Sequence, residues 1–167
     1  MNYYTQRKKH SFPPLINRDS KILILGSFPS VKSRENNFYY MHPQNRFYKI
    51  LTELLGVDFY NADIENKKRL LLKYHIALYD VVESCEIENS DDSSIKNVKF
   101  SNINKLIKNT EVSAIFLNGK KAFQLFKKNY PNWENNIFYL PSSSPANAKY
   151  SLSMLVEEWK IILEKLQ

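Results

Sequence analysis

The sequence predicts an α/β fold in three layers: a four-stranded parallel sheet flanked by helices on both faces. Two observations predict it. The apolar runs at residues 21–25, 76–82, 112–117 and 136–140 read as strands buried on both faces. Segments with helical spacing stand between them. In such sheets the loops after the strands share one edge, and ligands bind there. Gly26, Asp80, Asn118 and Ser142 end or follow those runs, so they are expected to converge.

Taken in order, residues 1–11 are an extended, basic lead into a single domain over residues 1–167. They contain no apolar core of a secretory signal. Ser11-Phe-Pro-Pro-Leu-Ile16 is extended, since each Pro biases the residue before it away from helix. The first strand opens onto Gly26-Ser-Phe-Pro-Ser30. A helix is predicted from Asn45 to Leu55, with Phe47, Ile50, Leu51 and Leu54 on one face and Gly56 just past its end. Asn61 or Asp63 caps a second helix, running to about residue 74 with Leu70, Leu71 and Leu72 inward. After the strand at 76–82, residues 83–99 are polar, and Ser90-Asp-Asp-Ser-Ser94 marks a surface loop. A short helix spans 102–108. The third strand turns at Asn118-Gly119 into a helix over 120–129, with Pro131 beyond it. The fourth strand leads to Pro141-Ser-Ser-Ser-Pro-Ala-Asn147. An amphipathic helix over 153–166 closes the chain, burying Leu155, Val156, Trp159, Ile162, Leu163 and Leu166.

Composition narrows the classes. With 167 residues and 43% hydrophobic content, the chain can bury a core and is not a disordered protein. No apolar run reaches the roughly 18 residues of a membrane span. Cys85 is the single cysteine, which excludes an internal disulfide and a four-cysteine zinc or iron–sulfur site. A reducing, cytoplasmic setting is the expectation. The net charge of +7 and pI near 9.3 favour a polyanion, nucleic acid first. A solvated surface rich in Lys fits the same charge.

The chemistry-bearing residues each have a plain reading beside the functional one. Gly26 permits close approach and Pro29 fixes the exit, in a pocket loop or in an ordinary turn. The chain lacks the glycines of a dinucleotide loop. Ser142, Ser143 and Ser144 before Pro145 suit a phosphate diester, or form only a polar loop. Tyr39, Tyr40 and Phe47 can stack on a base; Phe47 falls at a core position, whereas Tyr40 precedes a polar stretch. His42 has no second His at metal-ligand spacing, since His10 and His75 are remote in sequence, so no metal is expected. Ser27 has no His–Asp pairing in the order, and Cys85 lacks a basic context. Asn45 is either a helix cap or a chemical group. Asp80, in an apolar run, is a bonded structural carboxylate or a pocket group.

These residues carry a resemblance. Gly26-Ser-Phe-Pro-Ser30, Tyr39-Tyr-Met-His-Pro-Gln-Asn-Arg-Phe-Tyr48 and Leu140-Pro-Ser-Ser-Ser-Pro-Ala-Asn-Ala148 resemble the signature motifs of the uracil-DNA glycosylase superfamily, closest to its hypoxanthine-DNA (deoxyinosine) branch. Leu78-Tyr-Asp-Val-Val82, Ser84-Cys-Glu86, the stretch from Ser90 to Ile95 and Phe116-Leu-Asn-Gly119 also fit, and the likeness spans about residues 12–159. It implies the same four-stranded sheet. It implies a cofactor-free, metal-free monomer that flips a deaminated base from DNA and hydrolyses its N-glycosidic bond. Asn45 and Asp80 would be catalytic. Gly26, Ser27, Phe28, Tyr40, His42, Asn118 and Ser142 would form the base pocket. Pro29, Ser30, Ser143, Ser144, Pro145, Ala146, Asn147 and Lys149 would meet DNA. The chain departs from the pattern at Phe28, where uracil-specific relatives carry an acidic or amide residue, and at Ser142, where a His is common. Asn45 is the residue the resemblance offers in compensation. Ala146 or Asn147 stands where some relatives carry a Leu wedge. No lysine nucleophile is evident, which implies a monofunctional enzyme. A uracil or mismatch glycosylase, or a silent nucleic-acid-binding module, remain the alternatives.

Overall fold

The computed structural model of the protein describes residues 7–167. Residues 1–6 of the expected extended lead lie outside the described residues. The chain order is β1 (Arg7–Lys9), β2 (Ile22–Gly26), α1 (Val31–Asn36), α2 (Phe47–Leu55), α3 (Ile64–Lys73), β3 (Ile76–Asp80), β4 (Val82–Glu86), a one-turn 3-10 helix (Asp92–Ser94), β5 (Lys96–Phe100), α4 (Ile103–Ile107), β6 (Ala114–Asn118), α5 (Lys120–Asn129), β7 (Ile137–Leu140), α6 (Leu152–Trp159) and α7 (Ile161–Lys165).

The expected sheet is present, in strand order β3-β2-β6-β7, with every pairing parallel. β2 and β6 are buried at every residue, which is why their sequences read as unbroken apolar runs. Alternate residues feed two cores. Ile22, Ile24, Ile76, Leu78 and Phe116 face α2, α3, α6 and α7, meeting Phe47, Ile50, Leu71, Leu155 and Trp159. Leu23, Leu25, Ala77, Ile115 and Leu117 face the other way, onto Ile103, Ala122, Leu125 and Phe126 of α4 and α5. β7, one of the two edge strands, is the least buried, and its Tyr139 is exposed.

Several boundaries differ from the sequence reading, each for a local reason. The helix expected from Asn45 begins at Phe47, because the Asn45 side chain is spent on the turn before it. Asp63, not Asn61, caps α3 by accepting from Asn66 N. The expected closing helix is two, broken at Lys160, and it starts earlier, capped by Ser151. Of its predicted inward residues, Leu155, Trp159 and Ile162 are buried, while Val156, Leu163 and Leu166 are half-buried.

The larger correction lies in residues 76–100. The run at 76–82 is not one strand. β3 stops at Asp80 and the chain turns at Val81 into β4, which pairs antiparallel with β1 and β5 in a second, three-stranded sheet. The polar stretch at 83–99 therefore contains strands with one wetted face. Its inward residues, Cys85, Ile87 and Ile95, join the α4/α5 core. Short irregular strands with a bulged register give too little alternation to be read from sequence.

Candidate active site

The parallel register sets the site. Gly26 lies beside Asp80 and Asn118 beside Leu140, so the ends of all four strands share one edge, with Ser142 just beyond. A cavity of about 240 Å³ opens there. Its lining includes the expected Gly26, Ser27, Phe28, Pro29, Ser30, Tyr40, His42, Asn45, Asp80, Asn118, Ser142, Ser143, Ser144, Pro145 and Ala146. Asn147 and Lys149 lie outside that lining; Lys149 is exposed on the flank of the loop.

Gly26 is required by a side chain. A Cβ there would stand 2.5 Å from Asp80 Oδ1 and 3.3 Å from the Tyr40 hydroxyl. The Gly26 and Ser27 carbonyls accept from Val81 N at 2.8 Å and Val82 N at 3.0 Å, so the loop is fixed to the strand carrying Asp80. Asp80 is buried, and its Oδ2 meets His10 Nε2 at 2.8 Å. His10 is also buried at its side chain, lies against the rings of Phe12 and Tyr79, and leaves Nδ1 without a partner among the described residues. The sequence reading set His10 aside as remote. The antiparallel pairing of β1 with β4 brings it to Asp80 across 70 residues, a link with no local sequence signal.

Tyr40 occupies a left-handed conformation, φ 58, rare for a bulky residue and costing about 1–3 kcal/mol. Its ring stacks on Phe47 at 4.2 Å between centroids, and Phe47 is fully buried, as its helical spacing predicts. The Tyr40 hydroxyl is buried and makes no well-formed hydrogen bond among the described residues, although the Asn118 amide is near enough to oppose a rise in its pKa. Burial first, and the Asp80 charge second, push that phenol well above its ordinary range, so it stays protonated and can donate. Tyr39 instead donates to Pro13 O at 2.9 Å and belongs to the core.

Asn45 lies one residue before the cap position of α2, which Arg46 occupies. The Asn45 Oδ1 accepts from Phe47 N at 3.0 Å, an Asx turn that starts α2. The side chain also lines the cavity, and its Nδ2 is left free of any bond to the described residues. His42 turns Nδ1 back to accept from Gln44 N at 3.1 Å, which leaves Nε2 as the ring's outward nitrogen. Among the described residues no group of three or more His, Cys, Asp or Glu gathers to hold a metal ion.

The 142–147 loop is held from behind. Both ends of the Asn118 amide go to Ser143: Nδ2 donates to its Oγ and Oδ1 accepts from its N, each at 3.0 Å. Asn118 thus serves the loop, and Ser143 is buried rather than presented to solvent. Ser142 Oγ accepts from Ser144 N and Ser144 Oγ from Ala146 N, both at 3.1 Å. Asn147 Nδ2 donates to Ser142 O at 3.0 Å. Trp159 Nε1 donates to Pro141 O at 3.0 Å. Gly119, at φ 102, lacks a Cβ where one would stand 3.1 Å from that of Ser142.

Arg46 is the residue that sequence reasoning passed over. Its backbone N donates to Ser143 O at 3.0 Å. Its guanidinium donates to Ser144 O at 2.7 Å, Asn147 O at 3.0 Å and Tyr150 O. The planar fork suits several carbonyls at once. Its place directly after Asn45 was the available signal. Ser30, by contrast, caps α1 by accepting from Ser33 N at 3.1 Å, and Phe28 is a buried ring beneath the Arg34 guanidinium.

Comparison with known proteins fits this geometry. The profile of the Uracil DNA glycosylase superfamily matches residues 13–167. A protein of Methanosarcina barkeri named hypoxanthine DNA glycosylase is 34% identical over 118 residues, covering 69% of this chain and 73% of that one. One of the same name from Methanosarcina acetivorans is 30% identical over 157 residues, covering 92% and 97%. The solution NMR structure of a candidate uracil DNA glycosylase from Methanosarcina acetivorans superposes with a TM-score of 0.79 at 29% identity, covering 96% of this chain and 99% of that one.

Proposed function

The chain belongs to the uracil DNA glycosylase superfamily, and we propose that within it the protein is a monofunctional DNA glycosylase for deaminated bases, hypoxanthine in deoxyinosine first. The observation that carries this reading is a carboxylate, Asp80, buried against His10 in a base-sized cavity at the sheet edge. Deamination converts a ring nitrogen from an acceptor, in adenine or cytosine, to an N–H donor, in hypoxanthine or uracil. A fixed carboxylate accepts from that N–H and repels the undamaged base's lone pair, and unpaired polar groups make such discrimination large. The cavity, about 240 Å³, is below the roughly 300 Å³ at which ordinary small-molecule sites begin. That favours a single flipped base over a nucleotide. The names of two relatives support hypoxanthine over uracil.

In this mechanism the duplex yields its weakly paired base, because the reacting atom is inaccessible in the stack. As the C1′–N bond breaks, the sugar gains positive charge and the base negative charge. The Asn45 Nδ2 and the Tyr40 hydroxyl are donors for the base's negative charge or for water. The 142–147 loop, with Ser144, Pro145 and Ala146 at its face, meets the strand, and Lys149 adds charge beside it. The charge of +7 suits a phosphate backbone. No helix among the described residues is long and apolar enough to cross a membrane, and Cys85 is buried and unpaired. The proposal extends to a monomer acting on DNA in the cytoplasm.

The test is direct. End-labelled duplexes containing inosine, uracil or xanthine are incubated with the protein and then treated with alkali. Alkali-dependent cleavage of the inosine duplex, with no cleavage before alkali, is expected. Preference for the uracil duplex makes it a uracil glycosylase. Binding without cleavage makes it a silent module.

A further inference from the structure

A second acid enters the cavity from outside the strand ends. Asp92 begins the one-turn helix Asp92–Ser94, in a stretch whose sequence reads as surface. As a residue it is exposed, but its carboxylate turns inward and lines the cavity with Ser27 and Ser90. The buried Ser27 hydroxyl donates to Asp92 Oδ1 at 2.8 Å. The turn is tied to the first loop: Val31 N donates to Ser90 Oγ at 2.8 Å and Arg34 to Asn89 O at 2.7 Å. Oδ2 takes no hydrogen bond from the described residues. The other polar groups are committed differently. Asp80 Oδ2 is bonded to His10, the Asn45 carbonyl is bonded to Phe47 N, and an amide does not hold a proton at neutral pH. Phe28, next to Ser27, brings no acid of its own.

Resting on the glycosylase reading above, we propose that Asp92 is the catalytic base, taking a proton from the water that attacks the sugar. The step balances with water as the co-reactant. The water oxygen bonds to C1′, the C1′–N bond breaks, and its electron pair leaves with the base. The water's proton goes to Asp92 and passes from there to the departed base anion, which restores the carboxylate. The electrostatics agree. Burial raises the Asp92 carboxyl above the ordinary range, the Ser27 hydroxyl opposes the rise, and the Asp80 charge adds to it. Lys121 of α5 draws it down and Asp91 on its own turn pushes it up, both more weakly. A carboxylate raised toward working pH is a stronger proton acceptor than an ordinary one.

The experiment is single-turnover excision from the inosine, uracil and xanthine duplexes between about pH 5 and about pH 9, with thermal melts of each variant. A group with a raised pKa is ionised only above it. The wild-type rate is therefore expected to climb with pH through an acid limb and level off. Asp92→Asn, which keeps an acceptor for Ser27, should melt like wild type, lose the acid limb and excise about 100-fold more slowly or worse. Formate should restore part of the rate of Asp92→Gly, which a merely structural role would not allow. If wild type excises and Asp92→Asn excises equally fast with the same limb, Asp92 is not the base. If Asp92→Gly is slow and formate restores nothing, the role also fails. Wild type that releases no base from any duplex is a different failure, which removes the glycosylase reading and this role with it.

Discussion

The two walls of the cavity are built on opposite plans. On the 142–147 side, Arg46, Asn118, Asn147 and Trp159 all spend side-chain hydrogen bonds on the loop, mostly on its carbonyls. On the 88–94 side, the bonds are largely local serine and aspartate turns, such as Glu88 N to Ser94 Oγ at 2.8 Å. The inward acid there hangs from a single hydroxyl. The first wall restrains backbone, which suits holding a strand in register. The second presents one carboxylate with an oxygen left free, which suits moving a proton. Rigidity and chemical availability are thus divided between the walls.

Breaking the fixed wall has the largest expected effect. Arg46→Ala should cost about 3 kcal/mol in urea denaturation, since it strips charge-assisted bonds from several carbonyls. Excision should fall with it. Arg46→Lys should recover only part, because an ammonium has no planar fork. Retention of full stability by Arg46→Ala would mean that the loop holds itself.

Asn45 comes next, at the junction of the walls. Asn45→Ala should lower the excision rate about 100-fold, while the lost turn costs only about 1 kcal/mol of stability. Asn45→Ser keeps a capping oxygen and removes the Nδ2 donor, so it should be stable and slow. If it excises like wild type, Asn45 is a cap alone.

A smaller change sharpens the other wall. Ser27→Ala removes the hydroxyl that favours the charged form of Asp92. The pKa then rises further, so the acid limb of the rate profile should move to higher pH, with about 1 kcal/mol of stability lost. A limb that stays in place would mean another group titrates there. The smallest effect is expected at the rim. Lys149→Ala should weaken DNA binding a few-fold and reduce the salt slope by about 1, read by titration at several salt concentrations.

The walls also differ in how legible they were. The four strand ends were readable because β2 and β6, buried on both faces, leave long apolar runs. The 142–147 loop was readable because its Ser and Pro residues follow such a run at once. What failed was anything made by distant pairing. His10 reaches Asp80 only through the small antiparallel sheet, whose strands alternate too weakly to be seen. Asp92 sits among Ser and Asp residues whose composition is that of a solvated turn, and nothing in that pattern says which carboxylate faces in. Arg46 was hidden in another way, since its partners lie about a hundred positions later. Asn45 was half legible: the sequence offered a cap or a chemical group, and the side chain gives its oxygen to the turn before α2 while lining the cavity.

The reach of Arg46 bears on how the protein is made. N-terminal elements leave the ribosome first. A nascent chain ending after β6 already contains every residue that sets Gly26, His10 and Asp80 side by side. Arg46 in that chain has no carbonyls to grip, because residues 143–150 have not emerged, and Trp159 cannot yet brace Pro141. The acids are therefore assembled before the wall that would hold DNA over them. Competence to engage a duplex arrives only when residues 143–159 have emerged and met Arg46 and Pro141.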